Sequence, residues 1–372
     1  MIAGHGGNSR ELAAELGCSA EEIIDMSSNL NPFGPPPGLF AHLRERLGEI
    51  ASLPEVEAGS MIRDFAGAHD LDPKRILAGN GSTQFIHALP EMLGTRRALI
   101  VAPTYADYAD GCRKAGIEPE YFLTDERDSF HPDPDRLSRA LCGVDTVFLC
   151  NPNNPTGVLI PKSELEALAG EHPGVRFVID ESYLPFVPKG EDKSLSKAGL
   201  PNIVCLNSMS KFFRIPGLRV GFLIASRQMI RAWAVHMQPW AVNSLAQEAV
   251  RYLMQHRPGI QAFVRRTRRD MQEERAAFAQ RLAARIRLKV FPSAAYFLLA
   301  RLENGPGSGE LCRALGRERI LIRDCANFQG LSDRFIRISL KKPKENQALI
   351  EALSRLLPGE TSREAAVLGQ GA

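Results

Sequence analysis

Arg176-Phe177-Val178-Ile179-Asp180 is the stretch on which the fold is decided. Its three central residues are apolar, two of them β-branched, and no polar residue alternates with them. That is how a strand covered on both faces reads, as opposed to a strand with one wet face. The run ends on a carboxylate, which is costly beside apolar neighbours unless it has a partner.

Four more runs of this kind surround it. They are Ala98-Leu99-Ile100-Val101-Ala102, Val144 to Cys150, Ile203-Val204-Cys205-Leu206-Asn207 and Val220-Gly221-Phe222-Leu223-Ile224. Helical patterns such as Lys162–Glu171 lie between them, and the alternation predicts a mainly parallel α/β sheet covered by helices. In such sheets ligands sit at the carboxyl ends of the strands. Several runs end in polar residues there: Asn151 and Asn154, then Asp180, then Ser208 to Lys211.

Outside this region the pattern changes. Residues 1–37 read as an irregular arm with one short helix, about Ser9–Leu16, capped by Ser9 or Asn8. The arm ends in Asn31-Pro32-Phe33-Gly34-Pro35-Pro36-Pro37, which can continue neither a helix nor a central strand. Residues 38–270 form the large domain, whose ligand-binding part spans about 55–245. A long helical stretch, about Ser244 to Arg285, leads into a smaller α+β domain over 271–358. Its strands are Leu288 to Phe291, Tyr296 to Leu299 and Phe335 to Ser339. A Gly/Ser/Glu-rich tail, 359–372, is expected to fray.

Composition excludes several classes. The chain has 372 residues, enough for two domains, and a net charge of only +3. Basic and acidic residues are mixed, so no nucleic-acid footprint is present. The most basic stretch, Arg265 to Arg269, is followed at once by Asp270, Glu273 and Glu274 and reads as a solvated helix face. No apolar run approaches a membrane span, and the N-terminus lacks the pattern of a signal peptide. The seven cysteines are scattered, with no metal-ligand spacing. Cys142, Cys150 and Cys205 lie in apolar stretches and read as small buried residues. A reduced, cytoplasmic protein is expected.

The strand-end residues carry chemistry. Ser208-Met209-Ser210-Lys211, with Arg219 beyond it, supplies an amine, two hydroxyls and a guanidinium suited to a phosphate. Gly79-Asn80-Gly81-Ser82-Thr83 leads into a helical pattern, Gln84 to Leu93, whose first amides can cradle an anion. Asp180 offers a buried negative charge. Tyr183 and Asn154 offer donors, and Tyr105 in Pro103-Thr104-Tyr105 offers an aromatic face. Each has a plainer reading as well. Lys211 can be a surface lysine, Asp180 a helix cap, Tyr105 a core residue, and Asn151 to Gly157 only a turn. Taken together they supply what pyridoxal 5′-phosphate requires. That cofactor needs an amine for its aldehyde, an anion for its ring nitrogen, donors for its phenolic oxygen, an aromatic partner and a phosphate cradle.

At these residues the chain resembles the fold-type I pyridoxal-phosphate enzymes, in the class I/II aminotransferase group, over about residues 5 to 355. Asn153-Asn154-Pro155-Thr156-Gly157, Asp180-Glu181-x-Tyr183 and Ser208-x-Ser210-Lys211 with Arg219 fit in order and spacing. The resemblance implies a large domain with a mainly parallel seven-stranded sheet, a smaller α+β domain and a homodimer with active sites at the subunit interface. It implies Lys211, Asp180 and Tyr183 as catalytic residues. Gly81, Ser82, Thr83, Tyr105, Asn154, Ser208, Ser210 and Arg219 would complete the cofactor contacts.

Two subfamilies fit within the group: histidinol-phosphate aminotransferase and the threonine-phosphate decarboxylase of cobalamin biosynthesis. His5-Gly6-Gly7-Asn8, Gln238 to Asn243 and Ile320 to Phe328 look like the decarboxylase, whereas Ser28 to Gly34 fits either. By this resemblance Arg337 pairs with a substrate carboxylate, Arg323 and His5 bind the substrate's phosphate, and Asn29, Asn31 and Asn154 complete the site. Decarboxylation of L-threonine O-3-phosphate is the expected reaction, with transamination of histidinol phosphate as the alternative. There are departures. Leu53-Pro54-Glu55 stands where the group usually has Tyr-Pro-Asp, and Ser293 to Tyr296 lacks the arginine or asparagine often found in relatives. A regulator built on this fold usually carries an added DNA-binding domain, and no segment here is basic or long enough to be one.

Overall fold

The computed structural model describes residues 6–255 and 257–357. His5 and the expected tail over 359–372 lie outside these residues. The chain divides into two compact units. One comprises Phe33–Asn154 and Val158–Arg269. The other gathers the chain up to Pro32, Pro155–Gly157 and the chain from Asp270 onward.

The first unit is built on a seven-stranded sheet. Its strands are β1 (Ile76–Gly79), β2 (Ala98–Ala102), β3 (Glu120–Leu123), β4 (Thr146–Cys150), β5 (Arg176–Asp180), β6 (Ile203–Ser208) and β7 (Gly221–Ile224). They lie in the order β1-β7-β6-β5-β4-β2-β3. Six strands run one way and only β7 is reversed, since it pairs antiparallel with both β1 and β6. Phe177, Val178 and Ile179 at the centre are no more than 1% exposed, as their unbroken apolar run requires.

Two strands are not visible as runs in the sequence. β1 is four residues ending in glycine, and β3 is an edge strand with Glu120 and Leu123 exposed. The expected strand from Val144 starts at Thr146, because the Asp145 side chain turns back to accept from the Arg96 and Arg97 amides, each at 3.0 Å. The helical stretch expected after Ser244 is helical throughout its described residues, Ser244–Gln255 and Arg257–Arg285. Cys142, expected to be buried, is exposed because it follows the helix Pro134–Ala140 in a turn. Cys150 and Cys205 are buried, and all seven cysteines are free thiols.

The second unit carries an antiparallel sheet of β8 (Leu288–Val290), β9 (Phe297–Leu302), β10 (Arg323–Asp324) and β11 (Phe335–Ser339), ordered β10-β11-β9-β8. The arm belongs to this unit. Its helix is Ser9–Leu16, with Asn8 at the cap position making no side-chain cap bond. Ile24 and Asp25 pair in parallel with Ile320 and Leu321, and the Gly7 amide donates to Ser27 Oγ at 2.9 Å. Among the described residues no helix is long and apolar enough to cross a membrane.

Candidate active site

The functional residues of the first unit converge because of strand direction. β1, β4, β5 and β6 end at one edge of the sheet, and the reversed strand β7 begins there, so Arg219 arrives at the edge from the opposite direction. Register fixes the match, since Ser208 at the end of β6 faces Gly221 at the start of β7. Ser208 is followed by a single helical turn, Met209–Phe212, that carries Ser210 and Lys211. An open recess of about 540 Å³ lies at this edge.

Ser82, Thr83, Tyr105, Asn154, Asp180, Tyr183, Ser208, Ser210, Lys211 and Arg219 all line it. These are the cofactor contacts expected from the sequence, apart from Gly81. Gly81 is the residue before the helix Ser82–Met92, with φ +79°, and a β-carbon on it would stand 2.7 Å from the Arg219 guanidinium. A β-carbon on Gly221 would stand 2.5 Å from the Ser82 amide nitrogen. Both glycines therefore let backbone and guanidinium close around the start of that helix. Arg219 itself is left-handed, with φ +55°.

Asp180 is held by three donors. Ser182 donates to Oδ1 from its amide at 2.9 Å and from its hydroxyl at 2.5 Å, and the Tyr108 hydroxyl donates to Oδ2 at 2.9 Å. Burial raises the carboxyl above its ordinary range, while these donors and the Lys211 charge oppose the rise. The turn through Ser182 is the plain capping role, and it coexists with a carboxylate facing the recess. Burial also raises the Tyr105 and Tyr108 phenols and the Cys150 thiol.

Tyr108, Ser182, Cys150 and Ile86 line the recess too, and sequence reasoning missed them. Ser182 had a signal, the Asx-turn spacing from Asp180, whereas Tyr108 had none, since its partner Asp180 lies on another element. The other asparagines of the Asn151 to Gly157 stretch hold the loop. Asn151 exchanges two bonds with Ile160, and Asn153 donates to the Pro103 carbonyl at 2.8 Å.

The recess fits a ligand with an anionic end and a cationic end. Ser210 Oγ is fully buried and has no partner among the described residues, an arrangement that normally marks a missing acceptor. Arg219 and the first amides of the helix Ser82–Met92 stand nearby as further anion donors. A buried carboxylate at Asp180 answers a protonated ring nitrogen. These donors match pyridoxal phosphate.

The sequence matches the family described as aminotransferase class I and II over residues 21–353. The chain belongs to that family. Its members are pyridoxal-phosphate enzymes with this α/β architecture. The chain is 35% identical to the threonine-phosphate decarboxylase of Salmonella typhimurium, across 95% of this chain and 97% of that protein. The crystal structure of L-threonine-O-3-phosphate decarboxylase from Porphyromonas gingivalis is similar at a TM-score of 0.80 and 32% identity. The match covers 90% of this chain and 99% of the other. The histidinol-phosphate aminotransferase of Clostridium acetobutylicum matches at a TM-score of 0.82 and 27% identity, over 90% and 98%.

The second unit holds the remaining candidates. Arg323 and Arg337 are register partners across β10 and β11. Arg323 donates to Asn327 Oδ1 at 2.8 Å and lies 5.1 Å over the Phe328 ring. Burial, and then the Arg337 charge, lower its pKa. Arg337 is buried, donates to the Ser27 carbonyl and lies 5.6 Å over Phe297. Asn29 accepts from Ser339 Oγ, which fastens the arm within its unit, and Asn31 is fully buried. His5 lies outside the described residues.

Proposed function

We propose that this chain decarboxylates L-threonine O-3-phosphate to (R)-1-amino-2-propanol O-2-phosphate, a step of cobalamin side-chain synthesis. The observation that carries the reading is Arg323. It is a partly buried guanidinium held by Asn327 and Phe328 beside a second arginine, with no ion-pairing carboxylate among the described residues. Two neighbouring arginines repel and cost desolvation, so they suit a ligand with more than one negative charge. A phosphorylated amino acid has a carboxylate and a phosphate. The likeness to the two decarboxylases over nearly the full chain supports the same substrate class.

Pyridoxal phosphate, when bound, supplies an electron sink for a bond broken at the substrate's α-carbon. The chain's own groups do the rest. Lys211 is the amine that would hold the cofactor, and it would carry a proton to or from the substrate's α-carbon. Asp180 would hold the proton of the ring nitrogen, Tyr183 and Asn154 would serve the phenolic oxygen, and Tyr105 would offer its face to the ring. The amides from Gly81 to Thr83, with Ser208, Ser210 and Arg219, would hold the cofactor's phosphate. Arg337 and Asn154 orient the substrate carboxylate, and Arg323 with His5 anchors the substrate's phosphate. Fixing both anions would limit how the substrate can lie and so select which bond at its α-carbon is broken.

A homodimer belongs to this proposal. Phe40, Leu47, Ile50, Leu53, Val56 and Trp240 are exposed apolar residues of the first unit, and the Trp240 amide donates to the Val56 carbonyl at 3.0 Å. Such a surface is costly in water and suits a second copy. Sedimentation of the holoenzyme as a single 40.9 kDa species would contradict it. A cytoplasmic location is part of the same reading, supported by the seven free thiols.

Turnover decides between the two activities of the similar proteins. The purified enzyme is given threonine phosphate alone, or histidinol phosphate with 2-oxoglutarate. The proposal expects kcat/KM to favour the first, and a preference for the second pair overturns it.

A further inference from the structure

Tyr108 is wholly buried and stands outside the residues assigned so far. Its ring is stacked 6.0 Å from Phe148 and set edge-on to Tyr105 at 5.9 Å, so the phenol has little freedom to turn away. Its hydroxyl donates to Asp180 Oδ2, and Ser182 donates twice to Oδ1. The carboxylate is thereby fixed in orientation and satisfied on both oxygens before any ligand arrives. Cys150 and Lys211 share this surface of the recess, and Glu181 follows in the chain.

We propose that Tyr108 is a positioning residue that keeps Asp180 ionised and aimed at the ring nitrogen of bound pyridoxal phosphate, so that the proton resides on the ring. Asp180 and the ring nitrogen would compete for one proton. A carboxylate and a pyridine nitrogen in contact share one proton, and it goes to the stronger base. Donors to the carboxylate spread its charge and weaken it as a base. Ser182 is fixed by its turn, so Tyr108 is the donor that the packing around the recess adds. Loss of the phenol leaves Oδ2 with one fewer donor in a dry site, and the proton moves toward Asp180. An unprotonated ring is a poorer electron sink.

The inference rests on the cofactor binding at Asp180, and the test separates the two. Holoenzyme is prepared with pyridoxal phosphate labelled with ¹⁵N in the ring, and the nitrogen shift is recorded for wild type, Asp180→Asn and Tyr108→Phe. Tyr108→Met is a second donor-free variant, so either Tyr108 variant that folds carries the test. The shift reports protonation directly, and a purely structural role for Tyr108 would not move it. The expected result is a protonated ring in wild type and an unprotonated one in Asp180→Asn. The Tyr108 variants should lie measurably toward the unprotonated position, with cofactor Kd raised about tenfold. A Tyr108 variant that binds one cofactor per chain with the wild-type shift overturns the proposal for Tyr108 alone. An unchanged shift in Asp180→Asn overturns the assignment of Asp180 and the proposal with it.

Discussion

Ser208 and Gly221 face each other across the antiparallel pair β6–β7, and this pairing brings Lys211 and Arg219 to one edge of the sheet. Lys211 follows β6, which runs with the parallel set, whereas Arg219 precedes the one reversed strand. Gly221 also lies against the Ser82 amide, so a single position links three parts of the phosphate cradle.

Gly221→Ala is therefore expected to push the backbone at Gly81–Ser82 away, since its new β-carbon would stand 2.5 Å from the Ser82 amide nitrogen. Backbone cannot yield as a flexible side chain does, so the cost falls on the cradle and the fold together. Fluorescence titration should show pyridoxal phosphate bound at least about tenfold more weakly, and the melting temperature should fall. Wild-type affinity in a folded Gly221→Ala protein would refute the cradle.

Ser210 makes an asymmetric prediction. Its buried hydroxyl has no partner among the described residues, so removing it should relieve the unliganded protein by about 1 kcal/mol instead of harming it. The same change deprives the bound phosphate of a donor. Ser210→Ala should thus melt no lower than wild type without cofactor and gain less from added cofactor. Equal stabilisation of both proteins by pyridoxal phosphate would contradict the role.

The positions that sequence made legible and those it hid differ in what sets them. β5 was visible because Phe177 to Ile179 are buried on both faces, and the strand-end residues were visible because polar groups stand out after apolar runs. β1 and β3 were hidden, being short or at an edge. The Asn151 to Gly157 stretch reads as one turn, yet Pro155–Gly157 belong to the second unit. A β-carbon on Gly157 would meet Ser293 Oγ at 2.0 Å, and the Ala294 amide donates to the Gly157 carbonyl at 2.8 Å. Contacts between residues so distant in sequence leave no local pattern to read. Tyr108 was hidden for the same reason, because its partner Asp180 lies on another element.

Glu181 gives a pH prediction. Burial pushes its carboxyl up to about 7, although Ser194 Oγ donates to it at 2.6 Å and the Leu195 amide at 2.7 Å. A carboxyl raised in the folded state binds its proton more tightly there than in the unfolded chain. Its contribution to stability is complete below about 4.5 and is lost as pH rises toward about 7. Glu181→Gln keeps an acceptor for Leu195 and a donor for Ser194. Between those pH values wild type should lose on the order of 3 kcal/mol relative to the variant. Parallel unfolding curves for the two proteins across that range would rule this out.

Arg323 should govern the substrate's phosphate. Arg323→Ala is expected to raise KM for threonine phosphate about a hundredfold and to abolish competition by inorganic phosphate, with cofactor binding unchanged. Arg323→Lys should recover only part of this, because Asn327 and the Phe328 ring hold a planar fork. An unaltered KM in Arg323→Ala would remove the anion role.

The central claim is that the bond broken is the one to the carboxylate. Holoenzyme is incubated with L-threonine O-3-phosphate carrying ¹³C in the carboxyl group and with no 2-oxo acid present. The account predicts that the label leaves as CO₂, one per molecule of 1-amino-2-propanol phosphate, while the cofactor's absorption returns to its starting form. Label retained in a 2-oxo acid, with the absorption bleached until 2-oxoglutarate is added, would contradict it.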